Sequence, residues 1–355
     1  MNMPTQTATT TEVVLPGIVP ADGLQVRVRP SSRPGAGQVA VAVEATGVSF
    51  AEQQMRRGKY YDQPPFPFVP GYDLVGTVTE LGAGVDKTVL GRRVAVLTKT
   101  GAWSSRAIVD AADLVDVPDS VDSGEAETLV VNGLTAWQML HRIAKIRSGQ
   151  TILVMGANGG VGSALVQLAR NAGVHVIGTA SPRHHDAVRA LGAEPLDYRD
   201  PNLSARVRAL APQGVDAVFD HVGGPGIVDS YRLLARKGSL VAYGTASTRD
   251  DVGSSKKPVL VLIGRLLWWN LLPNGHRAHF FNIWAGRRNR AAFQTRMRTD
   301  LGNVFELLRQ GRISAQVAAR LPLEQAADAM RLAESGTVTG KVLLVPGPGS
   351  ARRSA

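Results

Sequence analysis

Thr151-Ile-Leu-Val-Met155, followed by Gly156-Ala-Asn-Gly-Gly-Val-Gly162 and then by Ser163-Ala-Leu-Val-Gln-Leu-Ala-Arg170, decides how the rest of this chain is read. The run of β-branched and aliphatic residues predicts a buried strand, the glycines a tight turn, and Leu165, Leu168 and Ala169 the inner face of a helix. Strand, turn and helix in that order place an anion on the positive end of the helix, and the glycines let the backbone approach it closely. With both flanking elements legible, the unit predicts a site for the pyrophosphate of a nucleotide.

Downstream of the turn, strands and helices alternate. Strands are predicted at Val174 to Thr179, Pro195 to Tyr198, Ala217 to His221 and Ser239 to Gly244, with helices at Pro182 to Leu191, Leu203 to Leu210 and Ile227 to Ala235. Parallel strands need crossover connections, so this pattern predicts an α/β domain, a parallel sheet with helices on both faces and ligand at the carboxyl ends of the strands. Upstream the pattern is different. Val39 to Ala45, Leu74 to Leu81, Arg93 to Leu97 and Ala107 to Val117 read as strands broken by turns, which predicts a strand-rich, partly open barrel or sandwich. Tyr60 to Gly71 is a proline-rich loop, and a helix from about Glu125 to Arg142 leads into the glycine turn. Beyond residue 250, an apolar stretch from Val259 to Leu272 precedes a predicted strand at His279 to Ile283. Helices at Leu301 to Gln310 and Leu323 to Glu334 and a last strand at Lys341 to Val345 complete the chain.

A chain of 355 residues with 44% hydrophobic content is long enough for two domains. Cysteine is absent, which removes disulfides, thiolate metal sites and a thiol nucleophile together. No apolar run reaches the ~18 residues that a membrane span requires. Met1 to Thr11 is polar without the features of a secretory signal, so a cytoplasmic protein is expected. The net charge of +11 comes from scattered arginines, apart from the group of Arg287, Arg288, Arg290, Arg296 and Arg298. With no nucleic-acid-binding motif beside it, the charge reads as a solvated basic face that favours an anionic cofactor.

The chain resembles the medium-chain dehydrogenase/reductases. Within them it is most similar to the zinc-independent quinone oxidoreductase group that includes zeta-crystallin, and there to the branch of the vesicle amine transport protein. The resemblance is carried by Arg57-Gly58-Lys-Tyr60 with Pro65, Pro67 and Pro70-Gly71, by Gly133-Leu-Thr135-Ala136, by Asn158-Gly-Gly-Val-Gly162, by Asp220-His-Val-Gly-Gly224 and by Gly340-Lys341-Val-Leu-Leu-Val-Pro-Gly347. It implies a Rossmann domain, a doubly wound parallel sheet, at residues 132–286. This domain is inserted into a GroES-like barrel made of residues 1–131 and 287–355, with the active site in the cleft between them. Zinc-dependent members carry Gly-His-Glu where this chain has Gly71-Tyr72-Asp73. With no cysteine, and no histidine before His141, a zinc site lacks ligands here, so metal-free hydride transfer to a quinone or an α,β-unsaturated carbonyl is expected.

An NAD-preferring domain of this type places an acidic residue roughly 20 positions past the glycines, on the ribose diol. That position falls in Gly178-Thr179-Ala180-Ser181, which holds no acid and is followed by Arg183. A hydroxyl and a guanidinium bind a 2′-phosphate, so the expected cofactor is NADPH, held by Thr179, Ser181 and Arg183. The backbone of Asn158, Gly159, Gly160 and Val161 is expected on the pyrophosphate. The resemblance adds Tyr198 near the phosphate or adenine, and Thr135, Val222, Gly244 and Thr245 near the nicotinamide. It also adds Lys341, reaching back towards the cofactor. On the substrate side, Tyr60 matches a family tyrosine at the mouth of the cleft. Ser49 and Glu52 stand where the family signature carries Asn and Asp.

Tyr60 reads equally as a group that orients a carbonyl and as an apolar wall. Six of the seven histidines, His141, His184, His185, His221, His276 and His279, share no face and are expected to be structural or exposed. The Trp268-Trp269 segment reads as a pocket cover or dimer contact in preference to a membrane-surface helix, and by resemblance the strand at His279 to Ile283 joins two subunits of a homodimer. Two functions fit these residues. One is an NADPH-dependent quinone or enone reductase; the other is an NADPH-binding carrier of a lipid or partner with little turnover.

Overall fold

The computed structural model describes residues 8–248 and 256–347, so Met1 to Thr7 of the polar amino-terminal stretch lie outside the described residues. Its elements in chain order begin with β1 (Thr9–Val14), β2 (Gln25–Pro30), β3 (Gln38–Val48), α1 (Phe50–Arg56), β4 (Asp73–Leu81), β5 (Arg93–Leu97), β6 (Arg106–Asp110), β7 (Val115–Asp116) and α2 (Ser123–Trp137). The alternating region holds β8 (Thr151–Val154), α3 (Gly160–Asn171), β9 (His175–Ala180), α4 (His185–Leu191), β10 (Glu194–Asp197), α5 (Leu203–Leu210), β11 (Val215–Asp220), α6 (Ile227–Arg232) and β12 (Leu234–Ala242). Then come α7 (Lys256–Asn270), β13 (Arg277–Phe280), α8 (Arg290–Arg309), β14 (Val317–Pro322), α9 (Ala326–Glu334) and β15 (Lys341–Val345).

The fold is α/β, with a Rossmann-like parallel sheet and a separate strand-rich GroES-like part. The parallel sheet runs in the order β10-β9-β8-β11-β12-β13. From β8 the chain first builds outward through β9 and β10, then returns to β11 on the other side of β8. The crevice outside the carboxyl ends of β8 and β11 is therefore the switch point at which such sheets take ligand. The second sheet runs β14-β15-β3-β4-β5-β7, with β6 also paired to β3. It brings the carboxyl-terminal β15 antiparallel to β3, so chain on both sides of the parallel sheet meets in one layer. A separate β1-β2 ribbon pairs antiparallel.

Helix α2 joins the two parts. Asp122 caps it by accepting from the Gly124 and Glu125 N–H groups at 3.0 Å each, a contact worth about 1 kcal/mol. The helix is buried on most sides because it packs on β3 and β4 in one direction and on α3 and α8 in the other. It continues beyond Trp137 as a π-helical turn, Gln138–Ile143, where Gln138 Nε2 and the Arg142 guanidinium donate to the buried Asp300 of α8.

Several segments differ from the sequence expectation for identifiable reasons. Helix α8 starts at Arg290, well before Leu301, because Phe293 and Met297 fall between the arginines at helical spacing and are buried. The expected strand at His279 to Ile283 is β13, Arg277–Phe280. It ends there because the Asn282 side chain accepts the Trp284 N–H at 2.9 Å and turns the chain. The apolar stretch at Val259 to Leu272 lies within and just past α7. Val259, Leu262, Leu266 and Trp269 pack inward while Trp268 is exposed. No helix among the described residues is long and apolar enough to cross a membrane.

The glycine turn is tightly constrained. Gly156 has φ +68°, and a Cβ at Gly162 would meet the Gly156 carbonyl oxygen. Gly162→Ala is expected to pry the turn open and lower stability by about 1–3 kcal/mol, read as a lower denaturant midpoint at unchanged m-value.

Candidate functional site

A cavity of about 430 Å³ opens over the switch point and is lined by both parts of the chain. Its floor is the turn after β8, residues Gly156 and Asn158 to Gly162, with Thr135 of α2 beside it. Helix α3 begins at Gly160, and its N-cap, Gly159, offers no side chain, so the first amides of the helix stay open to an anion. Gly244 and Thr245 follow β12 along the same wall, and Ser49, Tyr60 and Lys341 line the opposite one. The structure thus gathers Ser49, Tyr60, Thr135, Asn158, Gly159, Gly160, Val161, Gly244, Thr245 and Lys341 around one space.

Other expected residues stand outside that lining. Thr179 is buried, and its Oγ1 accepts the Gly156 N–H at 3.0 Å, so it shapes the turn from below. The Val222 N–H donates to Asp220 Oδ1 at 2.8 Å and is already satisfied. Tyr198 is exposed, with the Arg199 guanidinium over its ring. Arg183 reaches the cavity indirectly. Its guanidinium donates to the carbonyl of Gly336, a residue that does line it, and Nε donates to His184 Nε2 at 3.1 Å. That donor leaves His184 its proton on Nδ1, 3.2 Å from Thr339 Oγ1. Ser181 precedes this pair at the end of β9 and makes no capping bond. The end of β9 is thereby tied to the 335–340 loop, and Nη1 of Arg183 has no partner among the described residues.

The substrate-side residues are held by local chemistry. Ser49 is the N-cap of α1: its Oγ accepts the Ala51 N–H at 3.1 Å, while the Glu52 carboxylate accepts the Ser49 N–H at 2.9 Å. The Ser49 hydroxyl also donates to Glu52. This is a capping box, and the two departures from the family signature supply both halves of it. Glu52 is buried, and its other oxygen accepts the Tyr72 N–H at 2.6 Å. Burial raises its pKa above the usual range against the lowering effect of the Ser49 bond. Tyr60 is buried with its hydroxyl 2.9 Å from that of Tyr72.

Lys341 directs its ammonium away from the cavity. Nζ lies 2.9 and 2.8 Å from the two Asp73 oxygens and 2.8 Å from Glu127 Oε1, all three side chains being buried. Burial by itself favours the neutral amine, but the two carboxylates outweigh it and hold the lysine above its ordinary range. One cation facing two carboxyl groups leaves a negative charge in excess. Burial, followed by repulsion from Asp73, pushes Glu127 well above the usual carboxylate range.

His221 was expected to be structural or exposed, yet it lines the cavity at the end of β11. Its Nδ1 donates to the Met155 carbonyl at 3.1 Å, and burial lowers its pKa, which leaves a neutral ring with Nε2 unprotonated. Its ring fills the place a Cβ would need at Gly156. Tyr72, Asn132, Tyr243 and Phe281 were also missed. A position just beyond a strand's carboxyl end was the available signal for His221 and Tyr243; for the others only the tertiary fold brings them in.

Residues 35–119 match the family model of the alcohol dehydrogenase GroES-like domain, and residues 191–344 that of the zinc-binding dehydrogenases. The chain is 34% identical over 348 residues to the synaptic vesicle membrane protein VAT-1 homolog of Rattus norvegicus, a match covering 95% of this chain and 84% of that one. The chain belongs to the medium-chain dehydrogenase/reductase superfamily. As a member of this oxidoreductase superfamily it is also similar to two solved structures. A quinone oxidoreductase of Pseudomonas syringae pv. Tomato matches with a TM-score of 0.81 and 26% identity, over 95% of this chain and 100% of that one. A mycobacterial protein solved in complex with NADPH matches with a TM-score of 0.81 and 27% identity, over the same shares. No group of three or more His, Cys, Asp or Glu able to hold a metal occurs among the described residues of this superfamily member.

Two outcomes test the buried charge cluster. Lys341→Met leaves the Asp73 charge without its cation and is expected to destabilise the fold by about 3–5 kcal/mol in equilibrium unfolding. For Glu127, whose pKa is raised on folding, the native state binds more protons than the unfolded chain between the usual carboxylate range and the raised value. Stability therefore falls as pH rises through that window, and Glu127→Gln is expected to flatten the fall when unfolding is measured from about pH 5 to 8.

Proposed function

We propose that this protein is an NADPH-dependent, zinc-independent reductase that delivers hydride to a quinone or an α,β-unsaturated carbonyl. The observation that carries this reading is that one cavity joins the uncapped amino end of α3 to a wall of Tyr60, Tyr61, Tyr72 and Phe281. An anionic nucleotide fits the first and a flat conjugated ring or enone the second.

The residues present fit NADPH. The amides of Gly160 and Val161 hold the pyrophosphate, and Thr135, Gly244 and Thr245 flank the nicotinamide end. The open Nη1 of Arg183, with Ser181, meets the 2′-phosphate. Thr179 and Val222 act by holding the turns that carry these contacts, as their hydrogen bonds indicate. Lys341 contributes its alkyl stem to the wall. The cofactor, when bound, supplies the hydride. The chain's own contribution is to exclude water with its aromatic wall and to place Tyr60 where a carbonyl oxygen is polarised.

A second reading, carriage of a lipid or partner, is favoured by the outward residues of α7 and the turn after it. Leu260, Leu267, Trp268 and Leu271 are exposed together, and the relatives named above include a vesicle membrane protein. NADPH oxidation over a panel of quinones, alkenals and cyclic enones separates the two, with tight NADPH binding and no turnover favouring carriage. For the cofactor, Arg183→Ala is expected to weaken NADPH roughly tenfold in titration calorimetry while leaving NADH unchanged, the loss of one charge-assisted contact. Equal affinity of the unaltered protein for both cofactors would sink the assignment.

A further inference from the structure

A chain of hydrogen bonds behind Tyr60 has a direction imposed by its far end. The Trp284 indole N–H, which can only donate, lies 2.6 Å from the Tyr72 hydroxyl oxygen. That hydroxyl lies 2.9 Å from the one on Tyr60. Tyr72 is 4% exposed, and its hydroxyl has no third partner among the described residues. Each phenol has a single hydrogen. Both tyrosines line the cavity, but Tyr72 is the more enclosed, 4% exposed against 8%, so if Tyr60 donated to Tyr72 the hydrogen left without a protein acceptor would sit at the more deeply buried of the two hydroxyls, the costlier arrangement. The satisfied arrangement runs from the Trp284 N–H to the Tyr72 oxygen, and from the Tyr72 O–H to the Tyr60 oxygen. The Tyr60 O–H is then the free end, at the cavity wall beside the Tyr61 ring, whose centroid lies 5.0 Å from that of Tyr60.

Resting on the reductase reading, we propose that Tyr72 and Trp284 are positioning residues that aim the Tyr60 O–H at the carbonyl oxygen of the substrate. Negative charge develops on that oxygen as hydride reaches the conjugated carbon, and a donor already aligned stabilises it without reorganisation. Trp284 is itself firmly fixed, since its ring stacks on Phe293 at 6.0 Å between centroids, the Arg287 guanidinium lies 4.9 Å over it, and its backbone N–H is held by Asn282. Burial, with the neighbouring tyrosines, pushes the Tyr60 phenol far above its ordinary range. Tyr60 therefore keeps its proton and acts as a hydrogen-bond donor. With the Trp284 N–H donating to its oxygen, Tyr72 turns its own hydrogen to Tyr60.

The test uses the intact protein in two measurements. With NADP⁺ present, so that no hydride is available, 4-(dimethylamino)cinnamaldehyde reports donation to its carbonyl by a red shift of its absorption. The shift is expected in the unaltered protein, lost in Tyr60→Phe, and at least halved in Tyr72→Phe and Trp284→Phe. In turnover, Tyr72→Phe and Trp284→Phe are expected to lower kcat roughly tenfold at unchanged KM for NADPH, and Tyr72→Phe to add nothing in a Tyr60→Phe background. Thermal melts identify a variant that has unfolded, and Trp284→Phe, which keeps the stack on Phe293, serves in place of Tyr72→Phe if that variant fails. A full probe shift in folded Tyr72→Phe and Trp284→Phe, or no shift in the unaltered protein, overturns the proposal. An unaltered protein that shifts the probe yet oxidises no NADPH overturns the reductase reading and leaves the directed chain standing.

Discussion

Lys341 Nζ, between Asp73 and Glu127, is the contact on which the two-part architecture depends. The three side chains come from β15, β4 and α2, elements that lie on either side of the parallel sheet in sequence. Their near-complete burial means that none of the charges can be met by water. A charge left alone there is far more costly than the pair is stabilising, so the three segments are held in one arrangement. The packing leaves no slack, since a Cβ at Gly47 of β3 would meet both Lys341 and Glu127. The same lysine stem forms part of the cavity wall, so closure of the barrel-like part and the shape of the site are set by one residue.

Around this junction the site is built from ends of regular elements. The strand order reverses at β8, which leaves the ends of β8 and β11 facing an open crevice, and the glycine turn, His221 and Tyr243 all lie there. The opposite wall begins with α1, whose start is fixed by the reciprocal bonds of Ser49 and Glu52. Replacing the family Asn and Asp by this pair keeps the helix start in place but commits the Ser49 hydroxyl to Glu52. The hydroxyl we propose for the substrate is that of Tyr60, on the same wall. At the far end, Arg183 and His184 reach across to Gly336 and Thr339. This bridge connects the end of β9 with the loop before β15 and places a cation where a 2′-phosphate is proposed.

Much of this organisation was legible before any coordinates. The alternation after Thr151 reported the parallel sheet, because buried strands and amphipathic helices have different periods. The glycine turn reported its own geometry, since glycine adopts the positive φ at Gly156 without strain and leaves room for His221 there and for the Gly156 carbonyl at Gly162. The weaker readings were those in which charge masked periodicity. Arginines hid the first half of α8, and the short polar ribbon β1-β2 carried no strand signal strong enough to register.

The amino-acid sequence by itself determined the class of fold, the nucleotide turn, the lack of thiolate ligands and the missing acid after β9, all of which depend on residue type and local spacing. Tertiary structure alone decided which distant groups meet. It turned the Lys341 ammonium inward to Asp73 and Glu127, set His221 against Gly156, and ran a hydrogen-bond chain from Trp284 through Tyr72 to Tyr60. Those pairings join residues up to 268 positions apart. No local pattern encodes them, because a buried polar group is satisfied by whatever partner the closed fold brings within hydrogen-bonding distance.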